Sequence, residues 1–72
     1  MTHTPHFNAI ALNLQMISSY LSQVQHQVDM ALSDMRNDNQ NAAIGALLDL
    51  PDLLDSSKGL YSAIIAMHRN SR

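Results

Sequence analysis

Histidines offer the most direct route to chemistry in this chain, because imidazole titrates near neutrality and binds metals. His3 and His6 are three residues apart, and antiparallel helix packing would bring His68 close to them. Three imidazoles at one end of a molecule can hold zinc. However, His3 precedes the expected helix start, and no cysteine or carboxylate is close in sequence. We therefore assign no metal ligand, and it stays open whether these three histidines form a weak metal or pH-sensitive cluster.

Three aspartates, Asp49, Asp52 and Asp55, recur every three residues around Pro51. They could form a cation site or an acidic docking ridge, but negative charge also stabilises the first turn of a helix, which is the interpretation we adopt. The sequence has no nucleophile beside a base, no glycine-rich phosphate loop and no Cys/His metal pattern. Two helices also leave little room for a concave pocket. We predict that the protein is not an enzyme and binds no cofactor and no small molecule.

The charge distribution argues against nucleic-acid and membrane partners. The 72 residues carry four bases and six aspartates, a formal net charge of −2, and residues 1–28 contain no Asp, Glu, Lys or Arg. Nucleic acids and anionic membranes both favour clustered Lys and Arg. No apolar run approaches the ~20 residues that span a bilayer, and the N-terminus lacks the features of a secretory signal. Because the chain has no cysteine, it fits a reducing compartment, and we expect a cytoplasmic protein.

The elements that must position these groups are helices. Apolar residues recur at alternating intervals of three and four through the first half, the period at which one side of a helix lies along another helix. Thr4 and Pro5 suit a helix start, so we predict a first helix over about 5–36. The stripe consists of Phe7, Ile10, Leu14, Ile17, Leu21, Val24, Val28, Ala31 and Met35.

A polar turn over 37–40 separates this helix from a second one, predicted over about 41–69. In the turn, Asn37 is expected to take the left-handed conformation, and Asp38 or Asn39 to cap the next helix. Pro51 lacks an amide hydrogen and clashes with the preceding turn, which predicts a kink or break at 48–51. The second apolar stripe is Ala43, Leu47, Leu50, Leu54, Ser57, Tyr61, Ile64 and His68, widened by Ala46, Leu53, Leu60 and Met67.

The predicted fold is all-α: an antiparallel two-helix hairpin, one domain over 1–72, that dimerises into a four-helix bundle. A lone hairpin cannot cover its own stripe, and a chain this short is marginally stable. The expected core and dimer seam is Phe7, Ile10, Leu14, Ile17, Leu21, Val24, Val28, Met35, Leu47, Leu50, Leu54, Tyr61 and Ile64. Candidates for contact with another protein are Leu12, Met16, Tyr20, Met30, Ile44, Leu48 and Ile65. The two hairpins could pair with their loops together or at opposite ends.

These patterns indicate a small non-catalytic module that homodimerises and acts by occupying a surface of another protein. Inhibitors, adaptors, chaperones and phage-encoded modulators work in this way. The length, the polar turn at 37–39 and the apolar C-terminal helix resemble the hairpin subunits of type III secretion needles and their co-chaperones, which implies a self-assembling structural subunit. The expected hairpin dimer also resembles Rop-like RNA-binding bundles in its architecture and in the stretch Ala11-Leu12-Asn13-Leu14. This resemblance implies RNA binding. Both alternatives stay open.

Overall fold

The computed structural model describes residues 5–70, with side chains from Phe7 onward. It contains three helices: α1 (Pro5–Arg36), α2 (Gln40–Ala46) and α3 (Leu50–Asn70). Helix α1 forms one arm of an antiparallel hairpin, and α2 and α3 together form the other, bent arm. No strand occurs within residues 5–70. The prediction of an all-α hairpin with a bent second arm is confirmed, whereas the expected capping role of Thr4 lies outside the described residues.

Helix α1 ends in a Schellman motif, the arrangement that satisfies the last carbonyls of a helix. The Asn39 amide donates to the Asp34 carbonyl at 2.8 Å, and the Asp38 amide donates to the Met35 carbonyl at 3.0 Å. Asp38 holds the left-handed conformation, with φ of 57°. The prediction that Asn37 takes this position was wrong by one residue. Asp38 can replace it because a short polar side chain tolerates left-handed backbone.

The second arm begins at Asn39, whose side-chain Oδ1 accepts a hydrogen bond from the Ala42 amide at 3.2 Å. This N-cap is one of the two that the sequence allowed. Helix α2 then ends at Ala46, and residues 47–49 form a turn before α3. Pro51 is the second residue of α3, where a missing amide costs nothing, and a continuous helix would have pressed its ring against the Leu47 carbonyl. The arm is therefore broken at the turn before Pro51.

Two rows of half-buried side chains face each other across the hairpin. Both repeat at intervals of three and four residues, as in antiparallel coiled coils. On α1 the row is Ile10, Asn13, Ile17, Tyr20, Val24, Gln27, Ala31 and Asp34. On α3 it is Leu50, Leu53, Ser57, Leu60, Ile64 and Met67. Asn13 and Gln27 also lie on this inward row, although neither belongs to the apolar stripe from which the interior side of the first helix was predicted.

The core of the hairpin is thin. Among the described residues only Ala31, at 7% exposure, and Ala43, at 3%, are buried. Both are alanines, which let α2 approach α1 closely near the loop. The Cα atoms span 53 × 22 × 11 Å, so the shortest dimension is about the diameter of one helix. The hairpin is thus a single layer, whereas stable domains are built from two or three packed layers.

Candidate interaction surface

The most prominent surface is a row of apolar side chains on α1 that the hairpin leaves uncovered. Leu14, Leu21 and Met35 are about half exposed, at 54%, 48% and 50%. Each lies four residues after a member of the inward row, which turns it about 40° away from α3 on a helix of 3.6 residues per turn. Phe7 is 52% exposed and starts the row, whereas Val28 is half-buried. Four residues of the predicted α1 stripe are therefore exposed, namely Phe7, Leu14, Leu21 and Met35, whereas Val28 at the same heptad position is partly covered.

Helix α3 shows the same division. Leu54 is 48% exposed and Tyr61 is 59% exposed, although each directly follows a half-buried leucine of the inward row. They also lie four residues after inward residues, as Leu14 and Leu21 do on α1. In two antiparallel helices, positions with the same relation to the facing rows lie on the same side of the pair. The exposed residues of α1 and α3 therefore belong to one side of the hairpin.

A groove at the loop end of the molecule supports this assignment. It has a volume of about 450 Å³, and Val28 and Met35 of α1 line it together with Leu47 of the turn before α3. All of its lining residues are apolar: Val28, Ala31, Leu32, Met35, Ala43, Ile44, Leu47 and Leu50. We call the continuous surface the apolar face and define it as Phe7, Leu14, Leu21, Val28, Met35, Leu47, Leu54 and Tyr61.

The residues predicted to bind another protein divide into two groups. Tyr20 and Ile65 are half-buried, and Tyr20 belongs to the inward row. The other five are exposed: Leu12 at 57%, Met16 at 41%, Met30 at 46%, Ile44 at 53% and Leu48 at 72%. Ile44 also borders the groove of the apolar face. Leu12, Met16, Met30 and Leu48 lie off that face and form a second, more scattered apolar set.

Met16 and Tyr20 border a shallow cleft on the opposite edge of α1. The cleft measures about 270 Å³ and is completed by Ser19 and Gln23. Its walls are uncharged, in keeping with a first helix that has no Asp, Glu, Lys or Arg before Asp29. A mixed wall of thioether, phenol, hydroxyl and amide can be desolvated at lower cost than a charged one. This edge of α1 can therefore be covered without desolvating a charge.

Polar groups on the inward rows are unevenly satisfied. The Ser57 hydroxyl donates to the Leu53 carbonyl at 3.0 Å, which pairs it within its own helix. The Gln27 Oε1 atom, by contrast, is buried without a hydrogen-bond partner. A buried acceptor without a partner costs roughly 1–3 kcal/mol. The sequence did contain a signal for this position, because Gln27 lies three residues after Val24 and four before Ala31.

Charge is distributed along the hairpin rather than across it. The loop half of the molecule is residues 29–55. It contains all six aspartates and Arg36, so its formal net charge is −5. Lys58 and Arg69 are the other bases among the described residues, and both lie in the half away from the loop. Near the middle of α1, Gln25 donates from Nε2 to the Asp29 carboxylate at 2.9 Å.

Neither a metal-ligand cluster nor a membrane-spanning helix is found in the part of the chain that the structure describes. Within residues 5–70 no three His, Cys, Asp or Glu side chains come together to hold a metal ion, and the side chains of His3 and His6 lie outside the described residues. Nor does any helix of this region combine the length and hydropathy needed to cross a membrane. Comparison of the chain with protein-family models, curated proteins and solved structures finds no match.

Proposed function

We propose that this chain is a non-catalytic protein-interaction module that homodimerises and acts by occupying a surface of another protein. The observation that carries the proposal is the apolar face, eight side chains on one side of a hairpin only one helix thick. An exposed apolar face of this extent is typical of a surface that binds another macromolecule. The chain also has no cysteine, so a disulfide cannot stabilise the hairpin in place of a partner. The lack of cysteine also suits a reducing compartment, and we expect the cytoplasm.

The surface area of the hairpin supports pairing with a second layer. The accessible surface is 5532 Å², whereas a compact monomer of 8.0 kDa exposes about 4,450 Å². The excess of about 1,000 Å² is comparable to the ~800 Å² that each partner contributes to a standard protein interface. Stacking two hairpins face to face would remove this excess. The seven-residue spacing of the apolar face is also that of four-helix bundles.

The second apolar set supports contact with a different protein. Leu12, Met16, Met30 and Leu48 lie off the apolar face, so a dimer built on that face leaves them accessible. Leu12 and Met16 also adjoin the uncharged hydroxyl and amide side chains of α1, which another protein can cover without desolvating a charge. A dimer that presents such a surface twice can inhibit, link or chaperone a larger protein.

The test is light scattering after size exclusion over a range of concentrations, with wild type, Leu21→Asp and Leu12→Asp compared. We expect wild type and Leu12→Asp to elute near twice the 8.0 kDa chain mass, and Leu21→Asp to elute as a monomer. A wild-type chain that stays monomeric at every concentration refutes the homodimer. Concentration-dependent filaments would instead favour a structural subunit of a secretion apparatus.

Contact with another protein is tested by affinity capture with four chains: wild type, Ser22→Asp, Leu12→Asp and Met16→Asp. We expect a protein captured by wild type to be captured equally by Ser22→Asp, which adds a charge on the outer side of α1. Leu12→Asp and Met16→Asp should no longer capture it. Equal capture by all four chains would contradict the role of the second apolar set.

A further inference from the structure

We propose that a second copy of this chain covers the apolar face with the two loops at opposite ends of the dimer. The inference rests on the proposed homodimerisation and adds its geometry. A second copy fits the face for two reasons: the excess area matches one side of a standard interface, and the α1 part of the face contains no charged residue that would repel its own copy.

Apolar matching does not select the orientation. With loops at opposite ends, α1 lies on its own copy, Leu21 meets Leu21 at the two-fold axis, and Leu14 lies beside Val28 of the second copy. With loops together, α1 lies on α3 of the second copy, and Leu21 lies beside Leu54. Both arrangements bury the same side chains at the same spacing. The charged residues must therefore decide between the two orientations.

The charges are complementary in only one orientation. The loop half, residues 29–55, contains six aspartates and one arginine, a formal net charge of −5. The other half of the described hairpin, residues 5–28 and 56–70, contains Lys58 and Arg69 and no acid, a formal net charge of +2. Loops at opposite ends place the acidic half of each copy beside the basic half of the other. Loops together place two acidic halves side by side.

The geometry lets these charges interact. The hairpin is only 11 Å thick, so facing charges on the same half of two stacked copies lie about one Debye length apart. Along the 53 Å length, by contrast, opposite ends are screened from each other. Each surface charge contributes little binding free energy, but all the charges of one half favour the same orientation. Electrostatic complementarity of this kind sets the relative orientation of partners more than their affinity.

A single spin label at the loop measures the orientation directly. The chain has no cysteine, so Asn37→Cys introduces a unique thiol at an exposed turn position. Double electron–electron resonance on the labelled dimer should give a distance near the 53 Å length of the hairpin. Loops together would give roughly 20 Å, about two interhelical spacings. The matched control is Ser22→Cys, which lies near the middle of α1 and gives a short distance, roughly 20–30 Å, in both arrangements.

The outcomes separate the two proposals. A dimer with a long Asn37→Cys distance and a short Ser22→Cys distance supports the opposite-ends arrangement. A dimer with short distances at both sites overturns the orientation and leaves the homodimer intact. A labelled chain that scatters as a monomer and shows no dipolar coupling at either site overturns the homodimer itself.

Discussion

Ile17 and Leu21 lie four residues apart on the same apolar stripe of α1, yet Ile17 is half-buried on the row facing α3 and Leu21 remains 48% exposed. The hairpin thus covers one edge of the stripe and leaves the other edge exposed. This division recurs along both arms. It explains why a hairpin with an apolar pattern long enough for a bundle helix has only two buried residues in the part of the chain that the structure describes.

Leu21→Asp is expected to abolish the dimer. A carboxylate at the centre of the apolar face would have to be desolvated without a partner, which costs more than the interface gains there. Ser22→Asp is the matched control, since it adds the same charge one residue away on an exposed outer position. Light scattering should show a monomer for the first variant and a dimer for the second. Two dimers would mean that the apolar face is not the interface.

Leu12→Asp is expected to leave both helicity and dimerisation unchanged and to abolish binding of another protein. Leu12 is 57% exposed and lies off the apolar face, so the folded hairpin already tolerates solvent there. Circular dichroism checks the fold, light scattering checks the dimer, and affinity capture checks the partner. If the variant unfolds, Leu12 belongs to a core, and the proposed partner surface is wrong in this form.

Ala43→Leu should destabilise the hairpin by roughly 1–3 kcal/mol, because overpacking a filled site forces the surrounding backbone apart. Ala43 is 3% exposed, the most buried position among the described residues. Its neighbour Ala42 is exposed, so Ala42→Leu serves as the control and should change stability little. Urea denaturation followed by circular dichroism measures the difference. Equal midpoints would show that α2 does not pack against α1 as described.

Asn39→Ala should cost about 1 kcal/mol through loss of the α2 N-cap. The Asn39 side chain accepts the Ala42 amide hydrogen bond, which alanine cannot replace. Asn41 is an exposed residue in the first turn of the same helix, and Asn41→Ala removes an amide without removing the cap. We expect faster hydrogen exchange at the Ala42 amide only in the first variant. Unchanged exchange there would argue that solvent already satisfies this amide.

Gln27→Leu is expected to stabilise the protein, by roughly 1 kcal/mol, since it removes a buried acceptor that has no partner and leaves an apolar side chain of similar size. Gln23→Leu is the comparison, because Gln23 is exposed one turn earlier and gains no burial. Thermal denaturation at a fixed protein concentration distinguishes them. A drop in melting temperature for Gln27→Leu would indicate that Oε1 is paired in the assembled protein.

Local features of the fold could be predicted because each depends on neighbouring residues. The intervals of three and four residues required helices, the polar run at 37–39 required a turn, and Pro51 required a break in the second arm. The cap at Asn39 was one of two alternatives, Asp38 or Asn39, that the polar run allowed. The left-handed residue was predicted one position too early, since Asn37 and Asp38 have similar preferences and only the hydrogen bonds of the helix end choose between them.

The surface residues were harder to predict, because exposure depends on where the other arm lies. Asn13 lies three residues and Leu14 four residues after the inward residue Ile10. Because leucine is apolar and asparagine is polar, the sequence favoured Leu14 as the residue that packs inside. The structure has the reverse, with Asn13 half-buried and Leu14 54% exposed. Periodicity describes which side of a helix is apolar, but it does not say which edge of that side a neighbour takes.

The sequence by itself determined the helices, their breaks and the apolar stripe, because these follow from spacing and backbone chemistry within a few residues. Only the tertiary structure decided how the stripe is divided. Helix α2 packs against α1 through Ala31 and Ala43 near the loop and brings α3 back along one edge of the stripe. Since one helix covers only part of an apolar side, the other edge stays exposed. That uncovered edge is the surface on which the proposed dimer is built.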